Sequence, residues 1–369
     1  MLRFLTAGES HGQCLTAIID GMPSNLIIDE KLINEQLARR QVGYGRNKRM
    51  QIEHDEVKVL SGVIHGKTIG SPISIQVINR DWENWKDKWA EGTLPKLRIP
   101  RPGHADYSGM KKYNIDDARL ILERASARET TARVAVGSFA RILLHQFGIK
   151  IGSYVTAIGK VQAQTPDLSY EELWKIADKS NVRCVDHTHE SLIKKEIDQA
   201  WENGETLGGI FEVAAINVPI GFGSHVHWDR RLDTKISAAM MSIPAIKGVE
   251  IGSGFENASL PGSEVHDTLS VDKNDQIKQV TNRAGGVEGG ISNGAPIVVR
   301  AAMKPIATTG KPLDSVDLDN GQPAKPIYQR SDVCAVPSAA VVGEAMLCWV
   351  LADALIEKFG GDSIEEILR

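Results

Sequence analysis

Four cysteines are spread through the 369 residues, at Cys14, Cys184, Cys334 and Cys348, and no two of them form a C-x-x-C pair. That excludes a disulfide framework and a zinc ribbon, and predicts reduced, mostly buried thiols. Aromatic residues make up only 5% of the chain, too few for base-stacking platforms. Basic charge is not in excess either. The 43 Lys and Arg stand against 47 Asp and Glu for a net charge of −4, which excludes a generally basic nucleic-acid binder. No window holds the ~18 consecutive apolar residues of a membrane span. Met1-Leu2-Arg3-Phe4-Leu5 runs straight into Gly8-Glu9-Ser10-His11, too short a stretch for a signal-peptide core. The expectation is a soluble, cytoplasmic chain with neither membrane nor nucleic acid as partner, long enough for a substantial core or two domains.

Glycine is plentiful at 34 residues, and it clusters in Gly43-Tyr44-Gly45, Gly285-Gly286 and Gly289-Gly290, where backbone can approach a ligand closely. Strands are expected within residues 1–30 and in the runs 57–60, 73–77, 210–214 and 296–302. Asp29 is expected to cap a helix over 30–40 that ends on Arg39 and Arg40. The stretch 81–114 has no clear period and reads as a long functional loop. Asn114 or Asp116 is expected to cap the longest helix, reaching Phe147 with Gly148 as its stop and Gly137 as a break. Peripheral helices are predicted over 169–180 and 188–203, a further helix capped by Asp233, and a last one over 337–358. Strands and helices alternate without a βαβ rhythm, so the fold class is α+β.

Between Arg39 and Arg49 there are five cations (Arg39, Arg40, Arg46, Lys48, Arg49) and no acid. Guanidinium forks match phosphate and carboxylate oxygens, although a solvated basic loop would have the same composition. A second set, Arg101, Arg124, Arg128 and Arg133, accompanies His104 and Ser126, with Arg124 and Arg128 on one face if helical. Part of it can pair with Glu123 and Glu129; the remainder points to a small polyanion. His11 and His104 sit in glycine-bounded loops that can present an imidazole as a general acid. The pairs His225-Val226-His227 and His187-Thr188-His189 have i,i+2 spacing but lack a third ligand, so no metal is expected. Residues 282–294 are a glycine-rich turn followed by Lys304-Pro305-Ile306-Ala307-Thr308, neither a Walker loop nor a Rossmann fingerprint, yet suited to a flavin or a phosphate. Arg330 and Asp332 are expected to pair just before a helix, with Asp332 equally a candidate base or a member of an ordinary ion pair.

Taken together, several of these segments resemble the chorismate synthase family over essentially the whole chain. They are Gly8 to Gly12, Ser61-Gly62-Val63, Arg101 to Asp106, Glu123 to Thr130, Ala239 to Ala245, Gly285 to Gly294 and Arg330-Ser331-Asp332. The resemblance implies a single α+β unit over 1–369, with β-sheets sandwiching a layer of helices, assembled as a homotetramer. It implies anti 1,4-elimination of phosphate and a ring hydrogen from 5-enolpyruvylshikimate 3-phosphate, using reduced FMN without net redox change. By the same resemblance His11 protonates the leaving phosphate, His104 handles a flavin proton and Asp332 takes the ring hydrogen. Ser10, Arg49, Arg101 and Arg128 would hold substrate, with Arg40, Arg46 and Arg330. FMN would contact Arg124, Ala125, Ser126, Asn257, Ala258, Gly289, Lys304, Pro305, Ile306, Ala307, Thr308 and Arg330, while Arg40 and Arg46 are also the positions linked to NADPH. Between the arginines stands Asn47-Lys48 where many family members carry glycines. Either NADPH-dependent flavin reduction by this chain or a separate flavin reductase would keep the FMN reduced. A flavin reductase and a non-catalytic RNA or polyphosphate binder are the competing readings.

Overall fold

The computed structural model describes residues 1–46, 54–273, 275–327 and 331–369. One sheet consists of β1 (Arg3–Ala7), β2 (Cys14–Asp20), β3 (Val57–Ser61) and β4 (Ile73–Ile78), in the order β1-β2-β4-β3 with every pair antiparallel. Period-two alternation buries Leu15, Ala17 and Ile19 of β2 together with Ile73, Ile75 and Val77 of β4. A second antiparallel sheet consists of β5 (Lys150–Ile158), β6 (Val161–Gln162), β7 (Gly209–Ile216), β8 (Ile246–Ile251) and β9 (Ile297–Met303), in the order β8-β9-β7-β5-β6.

The longer helices are, in chain order, α1 (Glu30–Gln41), α2 (Asp106–Tyr113), α3 (Ala118–Ala125), α4 (Thr130–His145), α5 (Tyr170–Ala177), α6 (His187–Glu202), α7 (Leu232–Met241) and α8 (Val336–Phe359). Helix α4 packs on β1, β2 and β4, α8 packs on β5 and β7, and α1 lies against both helices. The two sheets therefore sandwich a helical layer, and the class is α+β. Helix α8 has no amphipathic stripe because nearly all of it is buried. By length and composition it would span a membrane, and 89% of its most apolar window lies inside the protein. A Cβ placed on Gly137 would stand 2.5 Å from the Cβ of Ala345. Gly137 thus permits the close approach of α4 to α8 and does not break its helix.

Several sequence expectations are corrected. The long helix expected from 114 to 147 is two helices, because Ser126 adopts an extended backbone and its side chain accepts from the Arg128 N–H, starting a new turn. Asp117 caps α3, whereas Asn114 closes α2 in a left-handed conformation and Asp116 pairs with Lys96 and Arg98. The stretch 81–114 is not one loop: it holds a 3-10 turn at Arg80–Asn84, a short helix at Lys86–Glu91, and α2. Asp233 is not the N-cap, since α7 begins one residue earlier; it lies in the first turn, where it accepts the Thr234 N–H and pairs with Arg231. Helix α5 is not peripheral in its packing, because Leu173 and Trp174 are buried against β5. The cap at Asp29 is present, and all four cysteines are free, three of them buried.

Midway along α8 the fully buried Glu344 carboxylate accepts from Arg39 of α1 at 2.7 and 2.9 Å, Arg141 of α4 at 2.7 Å and the Ser153 hydroxyl of β5 at 2.6 Å. Burial alone would raise the Glu344 pKa, but the guanidiniums of Arg39, Arg141 and Arg183 outweigh it and hold the group at about 2, against an ordinary 4.5. A depressed carboxylate contributes stability above its unfolded pKa and loses it as pH falls through the folded one. Glu344→Gln is therefore expected to cost about 3–5 kcal/mol at neutral pH. It should also flatten the loss of stability between about pH 4.5 and 2, which urea unfolding at a series of pH values measures.

Candidate active site

The loop between β1 and β2 carries Ser10 and His11, and three residues from distant elements hold it. Glu123, in the last turn of α3, accepts from the His11 backbone N–H at 2.7 Å, lies 2.8 Å from His11 Nδ1, and takes the Ser10 N–H on its backbone carbonyl at 2.9 Å. Asn79, just after β4, donates its Nδ2 to the carbonyls of Glu9 and Gly12. The Trp85 ring lies 4.2 Å from the His11 ring, centroid to centroid. Ser10 is buried and its hydroxyl meets that of Ser126 at 3.1 Å.

The same Asn79 links this loop to the arginines, since its Oδ1 accepts from Arg128 Nε at 2.8 Å. Arg128 and Arg40 share one buried carboxylate, Asp55, at 2.6 and 2.9 Å. Burial raises the Asp55 pKa, but the two guanidiniums dominate and leave it below the usual carboxylate range. Arg40 moves the other way. Burial above all, with Arg128 and Arg46 nearby, lowers its pKa to about 10 despite Asp55. Arg46 lies 3.3 Å from Asp332. Arg40 Nε and Arg46 Nε are buried and have no hydrogen-bond partner among the described residues.

A second cluster forms around His104. Asp106, at the start of α2, accepts from the Arg101 N–H, Nε and Nη2 and also pairs with His104 Nδ1. Burial opposes ionisation of Asp106, yet the hydrogen bonds from His104 and Arg101 hold its pKa far below the usual carboxylate range. The run after β9 docks on this cluster: Arg101 Nη1 reaches the Thr308 hydroxyl at 3.0 Å, and Lys304 Nζ donates to the Gly103 carbonyl at 2.6 Å. Ile306 is fastened by the Thr206 hydroxyl at 2.7 Å, and the adjacent Leu207 N–H bonds to Val333, whose own N–H bonds to Gly45. Through that chain of contacts Lys304 to Thr308, Asp332 and Arg46 belong to one region.

Other predicted residues are arranged differently. Arg124 and Arg128 do not share a face, because the helix stops at Ser126. Arg124 turns to the carbonyl of Thr6 at 2.9 Å, while Arg128 enters the Asp55 pair. The arginines are not without matching acids, since Asp55, Asp106, Glu129 and Asp332 arrive from elsewhere in the chain. Asp332 meets Arg46; Arg49 and Arg330 lie outside the described residues, as do Asn47 and Lys48. Lys304 and Asn257 lie at opposite ends of the β8–β9 ladder, where Ile246 faces Met303 and Ile251 faces Val299. Six strand residues separate those ends, roughly 17–20 Å. Asn257 and Ala258 therefore lie away from the Lys304 end of this sheet, and Gly289 stands in a glycine hairpin whose Gly290 adjoins Arg231. The Asn257 Oδ1 is buried without a partner among the described residues. His187 and His189 lie in the first turn of α6, and among the described residues no three potential ligands converge on a metal position.

Sequence reasoning assigned no role to Asp55, Asn79 or Trp85, and it assigned Glu123 to the arginines. Nothing local distinguishes them, whereas Asp106 lies within the Arg101 to Asp106 motif.

The α+β frame thus holds buried guanidiniums and two carboxylate-held histidines, an arrangement chemically able to bind an anion and to carry protons. A family model described as chorismate synthase matches residues 2–356. The chorismate synthase of Desulforamulus reducens is 56% identical over 373 residues, covering 100% of this chain and 96% of that protein. That of Aquifex aeolicus is 55% identical over 384 residues with the same coverages, 100% and 96%. A solved structure titled as a crystal structure of chorismate synthase is similar with a TM-score of 0.80 and 46% identity, covering 99% of this chain and 95% of the other. The chain belongs to the chorismate synthase family, and is thereby a lyase of aromatic amino acid biosynthesis.

Asp55→Asn removes the carboxylate shared by Arg40 and Arg128. The variant is expected to lose about 3 kcal/mol of stability and to be stabilised by inorganic phosphate more than the parent protein is. Thermal unfolding of both proteins with and without phosphate measures this, and equal stabilisation would contradict it.

Proposed function

We propose that this chain converts 5-enolpyruvylshikimate 3-phosphate to chorismate, with the described arginines holding the substrate's phosphate and carboxylates. The observation that carries the reading is the buried guanidinium excess: Arg40 and Arg46 each keep a buried Nε–H without a partner among the described residues, and Arg40 is drawn down to about 10. A polyanion would relieve that potential. Arg128 and Ser10 border the same loop as His11 and would contact the substrate with Arg101 and with Arg49 and Arg330.

In this reading His11 gives a proton to the departing phosphate as its carbon–oxygen bond breaks. Asp332 receives the hydrogen lost from the ring, with the Arg46 guanidinium 3.3 Å from its carboxylate. His104, fixed by Asp106, holds a proton beside the cofactor. Reduced FMN, when bound, supplies transient electron density that assists phosphate departure, without net oxidation. The residues present fit such a group. Lys304 offers a cation beside the His104 cluster, Arg124 another beside the His11 loop, and the buried Asn257 Oδ1, without a partner among the described residues, offers an acceptor for a hydroxyl or a ring N–H. Arg124 to Ser126, Asn257, Ala258, Gly289, Lys304 to Thr308 and Arg330 would hold it. We also propose that the whole chain acts as one unit within a homotetramer, in which Phe255, Leu269, Val271 and Ile277, all at least 65% exposed, would be covered.

The test is phosphate release from 5-enolpyruvylshikimate 3-phosphate under anaerobic conditions, with FMN chemically reduced in one sample and oxidised in the other. Release with chorismate absorbance is expected only with reduced flavin; no release from folded, flavin-binding protein would overturn the reading. NADPH oxidation with FMN and no substrate decides whether Arg40 and Arg46 also serve a reductase activity. His11→Ala and His104→Ala are each expected to lower kcat by on the order of 10²–10⁴ with unchanged unfolding transitions, and near-normal turnover in both would remove the acid–base assignment.

A further inference from the structure

We infer that Glu123 is a positioning residue that sets the tautomer and orientation of the His11 ring, and thereby makes Nε2 the nitrogen through which His11 exchanges its proton. The inference rests on the reading of His11 as the acid. Glu123 is 5% exposed, and its two carboxylate oxygens have separate tasks: Oε2 accepts the His11 backbone N–H at 2.7 Å, and Oε1 lies 2.8 Å from ring Nδ1. An ionised carboxylate only accepts, so Nδ1 must carry hydrogen in both the neutral and the charged ring. The proton that comes and goes is then the one on Nε2. Ring direction is constrained twice more, by the Trp85 ring at 4.2 Å and by the Ser10 N–H bonded to the Glu123 carbonyl at 2.9 Å. His104 also pairs through Nδ1 with a carboxylate, but Asp106 is shared with Arg101. Glu123 is bonded to the His11 ring and to that residue's own backbone, so its geometry follows the ring it orients.

The backbone N–H makes Glu123→Gln informative. That group can only donate, so it holds the glutamine's carbonyl oxygen and turns the amide NH2 toward Nδ1. Nδ1 must then accept, and the hydrogen moves to Nε2. Overall packing and the substrate arginines are untouched. The expected results are a kcat lower by about 10²-fold or more, KM for substrate within about threefold of the parent, and a changed tautomer. The last is read at alkaline pH from solid-state 15N spectra of histidine-labelled holoenzyme, with His11→Ala assigning the signal. An unchanged tautomer, or an unchanged kcat, in Glu123→Gln overturns the inference. If Glu123→Gln fails to fold, Glu123→Asp decides: its carboxylate, one methylene shorter, cannot reach both the backbone N–H and Nδ1, so kcat per folded molecule should fall by about tenfold or more, whereas a merely structural glutamate predicts lost stability with kcat per folded molecule intact, which overturns the inference. If the parent enzyme releases no phosphate, the lyase reading fails, while the 15N spectra still decide the tautomer on their own.

Discussion

Glu344 is the one fully buried carboxylate on α8, whose other acids are a half-buried Asp353 and an exposed Glu357, and the helical layer is organised around it. Removing such a group from water costs several kcal/mol. The cost is offset only because Arg39, Arg141, Arg183 and Ser153 converge on it from α1, α4, the segment before α6, and β5. Each donor comes from a different element, so the ion cluster specifies how the helices and the second sheet register against one another. Loosely packed apolar surfaces alone would permit several registers. Arg39 also adjoins Arg40 on α1, and the Arg40 carbonyl accepts from Ser338 at the start of α8. The element that anchors the core thus delivers a guanidinium to Asp55.

From that anchor outward the site is assembled by shared acceptors. Asp55 serves Arg40 and Arg128, Asp106 serves Arg101 and His104, and Glu123 serves the ring and backbone of His11. Each acid holds its partners in place and leaves positive potential on the arginines of the first set, where Arg40 is shifted downward. Such preorganisation suits a reaction in which phosphate leaves, because the charge that develops meets fixed donors instead of reorienting water.

Much of this was legible where the signal is local. Asp29 caps its helix, the Ala- and Val-rich run from Val336 forms a buried helix, and the glycine loops carry His11 and His104, as periodicity and turn chemistry indicate. The misreadings share a cause. Asn114, Asp116 and Asp117 are all competent caps by composition, and the choice fell on Asp117 because its side chain also accepts the Leu97 N–H. Arg124 and Arg128 have helical spacing, yet Ser126 interrupts the helix so that each reaches a different partner.

The sequence by itself determined the class of fold, the family, the anionic character of the ligand and the two loops that bear histidine. Those depend on composition, short-range patterning and contiguous motifs, which the chain carries without reference to distant residues. Only the tertiary structure decided which acid holds which base. The partners of His11, Arg128 and Arg101 include Glu123, Asp55 and Thr308, 112, 73 and 207 residues away along the chain. The match between a buried carboxylate and its donors is a matter of distance and desolvation, and no local pattern encodes either one.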